Sequence, residues 1–245
     1  MAEGWLLVSV LAVIFLATLI RSAFGFGEAL IAVPLLALMI PVEVAAPLAV
    51  LVSITVALVV VVQDWRHVHL GSAWRLVLAT LFGIPLGLLL LTSVPGFLVK
   101  ALLAAVIIAF SLYCLARRAP PELRDDRLAW LFGFGAGILG GAYGMNGPPL
   151  VVYGTLRRWS AERFRATLQG YFLPASLVGM VGYWVAGLWV PAVTRYYLLS
   201  LPVAAASILL GRLVNRRLAG GPFLRCVHVA LLLVGIVLLA QSVRG

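Results

Sequence analysis

Long apolar stretches, separated by short polar segments, cover almost the whole chain. Their lengths and their glycine and proline boundaries predict ten helices. The predicted helices cover residues 5–21, 28–40, 42–62, 72–91, 96–116, 128–141, 148–156, 163–188, 191–212 and 223–242. One membrane crossing needs about 20 apolar residues, and the chain holds enough of them for about seven or eight crossings.

Two of the apolar stretches are broken by glycine. The first break reads AFGFGEAL at 23–30, and the second reads GGAYGMNGPPL at 140–150. One offset of 119 positions relates three pairs of residues, Gly25 and Gly144, Glu43 and Glu162, and Trp65 and Trp184. Helices broken at corresponding places in two halves of a membrane protein are typical of a transporter binding site.

The composition supports a membrane protein. Hydrophobic residues make up 64% of the 245 residues and charged residues only 11%, which excludes a soluble domain. The longest hydrophilic segment, 117–127, is too short for a domain outside the membrane. We therefore predict an all-α polytopic membrane protein with a single domain over residues 1–245. The net charge of +10 comes from arginines in short loops, as membrane topology requires, and does not indicate nucleic acid as a partner.

Each broken stretch, 5–40 and 128–156, is either one kinked crossing or a hairpin that returns to its own side. Kinked crossings divide lysine and arginine about nine to eight between the two faces, whereas hairpins divide them fourteen to three, with Arg21 at a hairpin tip. Because cytoplasmic loops carry an excess of lysine and arginine, the second division is strongly favoured. It predicts two hairpins and places both termini outside.

The hairpins in turn predict an inverted repeat. Repeat one covers about 4–116, repeat two covers about 128–243, and 117–127 is a cytoplasmic linker. Each repeat holds one hairpin and three full crossings, and because three is odd, the second repeat starts from the opposite face. Hairpins that enter from opposite sides build substrate sites near the middle of the membrane.

The breaks carry the chemistry expected of an anion site. The returning helices begin near Glu28 and near Gly147, and their free N–H groups and positive dipole ends point into the membrane interior. Glycine at Gly25 and Gly27 permits a tight turn and close approach of a ligand. Pro148 suits the first turn of the second returning helix. The alternative is that the glycines serve only helix packing.

Two ionisable residues flank the first break. Arg21 and Glu28 lie far from any loop, where a charge is costly and is usually paired or functional. One reading is a salt bridge that closes the hairpin tip; the other is attraction of substrate by Arg21 with a coupling role for Glu28. Asn146 adds an uncharged donor, and Gln169 belongs to the next helix. The predicted substrate-binding residues are Arg21, Gly25, Gly27, Glu28, Gly144, Asn146, Gly147, Pro148 and Gln169.

Enzyme chemistry finds little support in the sequence. Catalytic triad, metalloprotease, CxxC and phosphate-loop motifs are absent. We therefore expect no catalytic residues, no cofactor and no metal. Transport driven by ATP on this chain is not expected either.

Five segments resemble the TauE/SafE family, also called the four-TMS-repeat sulfite exporter family. They are GFGEALIAVPLL at 25–36, the PVEVAAPLAVL segment that follows it, GIPLG at 83–87, GGAYGMNGPPLVVYG at 140–154 and ERFRATLQGYF at 162–172. The resemblance covers nearly the whole chain. It implies a multi-pass permease of the inner membrane that moves small anions, with sulfite, sulfonates and other organosulfur compounds as substrates.

These observations favour a secondary transporter of a small, sulfur-containing anion that works by alternating access around the two breaks. Two alternatives stay open: a passive anion channel of the same architecture, and a membrane assembly partner of a redox enzyme. The expected partners are the anion, protons coupled to its movement and the lipid bilayer. A homodimer is compatible with the sequence. The expected location is the cell inner (plasma) membrane.

Overall fold

The structure is a computed structural model that describes residues 2–24, 27–64, 70–116, 123, 127–159, 161–215 and 221–244. These residues form ten α-helices. In chain order the helices are α1 Ala2–Phe24, α2 Glu28–Ala37, α3 Val42–Asp64, α4 Leu70–Ser93, α5 Gly96–Leu115, α6 Ala129–Tyr143, α7 Gly147–Leu156, α8 Ala161–Val185, α9 Pro191–Asn215 and α10 Gly221–Arg244. All ten predicted helices are present, and no bound differs by more than three residues.

Within the described residues, five of the helices are long and apolar enough to cross a membrane. Their crossing segments are Gly4–Ala23, Val42–Val59, Trp74–Ser93, Gly96–Leu115 and Pro191–Gly211. Large apolar side chains cover the outer surface, and Phe82 and Trp184 are 68% and 67% exposed. Such a surface suits lipid tails rather than water. The prediction of an all-helical polytopic membrane protein is confirmed.

The helices that follow the two breaks are short. Both α2 and α7 contain ten residues, which gives each a length of about 15 Å. The hydrocarbon core of a bilayer is about 30 Å thick. Neither helix is therefore long enough to cross it, and each break leaves a helix start inside the protein.

Helices α6 and α7 form a hairpin. The backbone N–H of Leu123, which precedes α6, donates to the carbonyl of Leu156 at the end of α7 over 2.9 Å. The rings of Phe132 in α6 and Tyr153 in α7 lie with their centroids 5.4 Å apart. The start of α6 and the end of α7 are thus neighbours, which a kinked crossing would not allow.

The chain also reverses between α1 and α2. The hydroxyl of Thr18 donates to the carboxylate of Glu28 over 2.8 Å. Ten positions of continuous helix would separate these residues by about 15 Å along the axis. The start of α2 therefore lies beside the end of α1, and α2 then packs along α3.

The buried apolar residues form two groups. The larger group joins α1, α2, α3, α5, α9 and α10 with one end of α4, α6 and α8. The smaller group joins α4, α6, α7 and α8; its buried residues are Leu76, Ala129, Ala136, Leu150, Tyr153, Leu168, Tyr171, Phe172 and Ala175. Because α4 comes from the first half of the chain, each group mixes helices from both halves.

Glycines hold α4 and α6 in backbone contact. A Cβ added at Gly137 would meet the carbonyl of Thr80 and, at 2.9 Å, the Cα of Gly83. Gly87 in α4 and Gly141 in α6 face one another in the same way. Small residues allow this close approach of membrane helices. The helix that leads into the second break is therefore fixed to α4.

Candidate functional site

The two breaks meet at one pocket. The first half of the chain supplies Arg21 at the end of α1, residues 27–30 at the start of α2, and Ser53 in the middle of α3. The second half supplies Gly144, Asn146, Gly147, Val151 and Phe172. Two breaks that lie far apart in sequence are thus brought around a single cavity.

The N-terminus of α2 lies at this pocket. Gly27 caps the helix in the left-handed conformation, with φ of +97°, which favours glycine. The first backbone bond of the helix runs from the N–H of Ile31 to the carbonyl of Gly27. In the described part of the chain, the four N–H groups of residues 27–30 therefore have no backbone acceptor.

The N-terminus of α7 offers fewer donors than α2. Pro148 and Pro149 occupy the second and third positions of the helix, and proline has no N–H group. The N–H groups of Asn146 and Gly147 are the ones left in this turn. Pro148 is not among the residues that line the pocket. It belongs to the first turn of α7 and does not contact the pocket.

Arg21 and Glu28 form a buried ion pair, as the flanking positions suggest. Nη1 of Arg21 lies 2.6 Å from Oε2 of Glu28 and also donates to the hydroxyl of Ser53. Thr18 donates to the second carboxylate oxygen. The two charged side chains are only 4% and 1% exposed. Without partners, charges at this depth would cost several kcal/mol each, about 2.5–3.5 on insertion scales.

The ion pair does not use all the donors of Arg21. Its Nε and Nη2 are buried and have no hydrogen-bond partner among the described residues. The ring of Phe172 lies 5.4 Å from the guanidinium carbon and offers a cation–π contact. Ser53 accepts a bond from Arg21, so its own O–H remains to donate. Buried donors of this kind call for an acceptor.

The side chain of Asn146 is fixed by a chain of two hydrogen bonds. Its Nδ2 donates to the hydroxyl of Tyr171 over 3.2 Å, and that hydroxyl lies 2.6 Å from the hydroxyl of Thr80. The amide packs against Gly140, where an added Cβ would overlap its nitrogen. Asn146 lines the pocket with little freedom to move.

The two glycines of the second break have different roles. Gly144 ends α6 with φ of +66°, and a Cβ there would lie 2.7 Å from Cγ2 of Val50. Glycine is required at this position for the turn itself. A Cβ at Gly147 would meet no atom within 4 Å. Gly147 therefore leaves the pocket open without being needed for the backbone geometry.

Two of the predicted site residues lie wholly or partly outside the described part of the structure. Gly25 lies outside the described residues, and so does the side chain of Gln169, although α8 passes through its position. Sequence reasoning in turn missed Ser53 and Phe172. Ser53 is a lone serine in an apolar helix, where a hydroxyl often bonds the carbonyl four residues back. The sequence could have indicated Ser53 by its position, because it is a polar residue near the middle of the predicted helix 42–62.

The charges around the pocket do not sum to zero. The formal charges of Arg21 and Glu28 cancel. Each helix N-terminus adds roughly half a positive charge, so two termini leave about one positive unit. This balance suits a small anion that carries one negative charge.

Comparison with known proteins identifies the family. The family model described as Sulfite exporter TauE/SafE matches residues 10–238, which includes both breaks and all the lining residues. No curated protein and no solved structure matches the chain. Membership in a family of membrane transporters agrees with the crossing segments and with the pocket. The chain belongs to the TauE/SafE sulfite exporter family and is a multi-pass membrane protein.

Proposed function

We propose that the protein is a secondary transporter of a small anion and that the pocket between the breaks is its substrate site. The observation that carries the proposal is Arg21, whose buried Nε and Nη2 have no acceptor among the described residues and lie beside the N–H groups of residues 27–30. An unsatisfied buried donor costs about 1–3 kcal/mol, and a bound oxyanion would remove that cost. Sulfite, a sulfonate or another organosulfur anion fits these donors, and the family description supports that choice.

The two groups of buried residues suggest how access alternates. The pocket lies between them, with Leu30 in the larger group and Phe172 in the smaller group. Rocking of one packed body against another around a fixed site is a common mode of alternating access. We propose that α4, α6, α7 and α8 move as one body against the remaining helices. The moving bodies then follow the packing and not the two predicted repeats.

Protons are the proposed coupling ion. Glu28 is a carboxylate at the pocket wall that shares the guanidinium of Arg21 with any anion that binds there. A proton on Glu28 would end its competition for Arg21, so a proton and an anion would enter the site together.

Counterflow tests the proposed carrier against the channel. Purified protein in liposomes loaded with unlabelled sulfite should accumulate external labelled sulfite transiently above equilibrium, because a carrier exchanges one bound anion for another. A passive channel would let the label equilibrate without overshoot, and that result would contradict the carrier mechanism. Protein-free liposomes are the control. A protein that shows no flux and copurifies with a redox complex would support the assembly role instead.

We also propose that the protein lies in the cell inner membrane with both termini outside and the segment 117–127 in the cytoplasm. In a variant without Cys114 and Cys226, single cysteines at Glu122 and Ser160 should resist a membrane-impermeant maleimide in intact spheroplasts. A cysteine at Val94, between α4 and α5, should react. The hydrogen bond between Leu123 and Leu156 supports a shared face for the first two sites. Labelling at Glu122 and Ser160 together with protection at Val94 would overturn the orientation.

A further inference from the structure

The hydrogen bonds that join Asn146 to Tyr171 and Tyr171 to Thr80 determine which atom of the Asn146 amide faces the pocket. We propose that Tyr171 and Thr80 are positioning residues that hold the carbonyl oxygen of Asn146 toward the pocket, so that the site prefers an anion carrying a hydrogen-bond donor of its own. This inference rests on the proposed function of the pocket as an anion site.

The direction of the hydrogen bonds follows from the far end of the chain. The hydroxyl oxygen of Thr80 lies 2.8 Å from the carbonyl oxygens of both Leu76 and Gly133. A carbonyl only accepts, so the single hydrogen of Thr80 points toward these carbonyls. The hydroxyl of Tyr171, 2.6 Å from Thr80, must then donate to Thr80. Its own oxygen is left to accept, and it accepts from Asn146.

This direction determines how the amide is turned. Only the nitrogen of Asn146 can donate to Tyr171, over 3.2 Å, so the carbonyl oxygen points elsewhere. The amide also packs against Gly140, where an added Cβ would lie 2.4 Å from Nδ2 and 3.1 Å from Oδ1. No described residue donates to Oδ1 of Asn146, a residue that lines the pocket. The carbonyl oxygen, with the second N–H beside it, is thus what Asn146 offers a ligand.

The other groups at the pocket complement this acceptor. Arg21, Ser53 and the N–H groups of residues 27–30 donate, and the oxygens of Glu28 already accept from Arg21 and Thr18. An oxyanion without hydrogens would place an oxygen against Oδ1 of Asn146, which is repulsive. An anion with one O–H or N–H group would satisfy Oδ1 and keep its charged oxygens on the donors. The pocket therefore favours an oxyanion that carries one donor.

Two probes of equal charge and heavy-atom count test the preference. They are 2-hydroxyethanesulfonate, which has a hydroxyl, and propanesulfonate, which has a methyl group in its place. Calorimetric titration of the purified protein should show tighter binding of the hydroxylated probe by roughly 2- to 10-fold, the range expected for one neutral hydrogen bond. In Tyr171→Phe and in the isosteric Thr80→Val, the ratio should fall toward one, because no hydrogen bond then determines whether the nitrogen or the oxygen of the Asn146 amide faces the pocket.

Tyr197→Phe is a matched control. It removes a hydroxyl that lies 2.8 Å from the hydroxyl of Thr55, the same kind of pair away from the pocket between the breaks, and should keep the wild-type ratio. Equal binding of both probes by the wild type, or an unchanged ratio in folded Tyr171→Phe and Thr80→Val, would overturn the inference and leave the anion site intact. Binding of neither probe by the wild type would overturn the proposed function, and the inference with it. If Tyr171→Phe does not fold, the ratio of the two affinities in Thr80→Val tests the inference by itself.

Discussion

Replacing Arg21 and Glu28 together by glutamine is expected to reduce anion counterflow to the level of protein-free liposomes while the protein stays folded. The double variant removes both charges of the buried pair, so neither is left unpaired, and the glutamines still offer hydrogen-bond groups to Thr18 and Ser53. The substrate loses the attracting charge and the donors Nε and Nη2 of Arg21, for which the described residues offer no acceptor. Counterflow and the denaturation midpoint of the purified protein measure the two effects separately.

The single variants separate binding from coupling. Arg21→Gln leaves the carboxylate of Glu28 buried without its cation, which costs about 3–5 kcal/mol and should lower the denaturation midpoint as well as abolish counterflow. Glu28→Gln keeps the cation and should keep exchange of substrate for substrate but lose the pH dependence of net transport. Exchange at the wild-type rate by a folded double variant would show that Arg21 does not bind the substrate. Restored function on swapping the two residues would assign the pair a structural role alone.

Gly147→Leu is expected to abolish counterflow with little loss of stability. A Cβ at this position meets no atom within 4 Å, and the residue has ordinary helical geometry at the start of α7, so the backbone tolerates a side chain. The leucine side chain would extend into the pocket that Gly147 lines and occupy the place of a small anion. Counterflow, with the denaturation midpoint as the measure of folding, checks both parts of the expectation.

Two further glycines provide the controls for this experiment. A Cβ at Gly135 in α6 also meets nothing within 4 Å, and Gly135 does not line the pocket, so Gly135→Leu should transport normally. Gly144→Leu should fail to fold properly, because φ is +66° there and Val50 is in the way. Normal counterflow by a well-folded Gly147→Leu protein would remove the start of α7 from the substrate path.

Local signals in the sequence predicted the helices and the breaks. Apolar stretches set the helix lengths, and glycine and proline act within a few residues, so their effects can be read without knowing the neighbours. The pairing of Arg21 with Glu28 was also within reach, because only seven positions and one turn separate them. The glycines, Asn146 and the two ionisable residues of the pocket were identified in this way.

The lining residues contributed by unbroken helices needed the tertiary structure. Ser53 and Phe172 reach the pocket because α3 and α8 pack beside the breaks, and nothing next to them in sequence marks that contact. The chain of bonds from Asn146 through Tyr171 to Thr80 joins the start of α7 to α8 and α4. The sequence predicted that a helix starts near Gly147. The structure adds that Pro148 and Pro149, which have no N–H group, lie in its first turn and lower the number of backbone donors there.

The sequence by itself thus determined that this is an all-helical membrane protein with two broken helices and charges at the first break. Only the tertiary structure decided which helices pack together, as in the contact of Gly83 with Gly137 across the two halves. The reason is physical. Lipid tails are as apolar as the side chains that face them, so an apolar pattern does not distinguish a lipid-facing side from a helix-facing side. Close packing and interhelical hydrogen bonds select the partners instead.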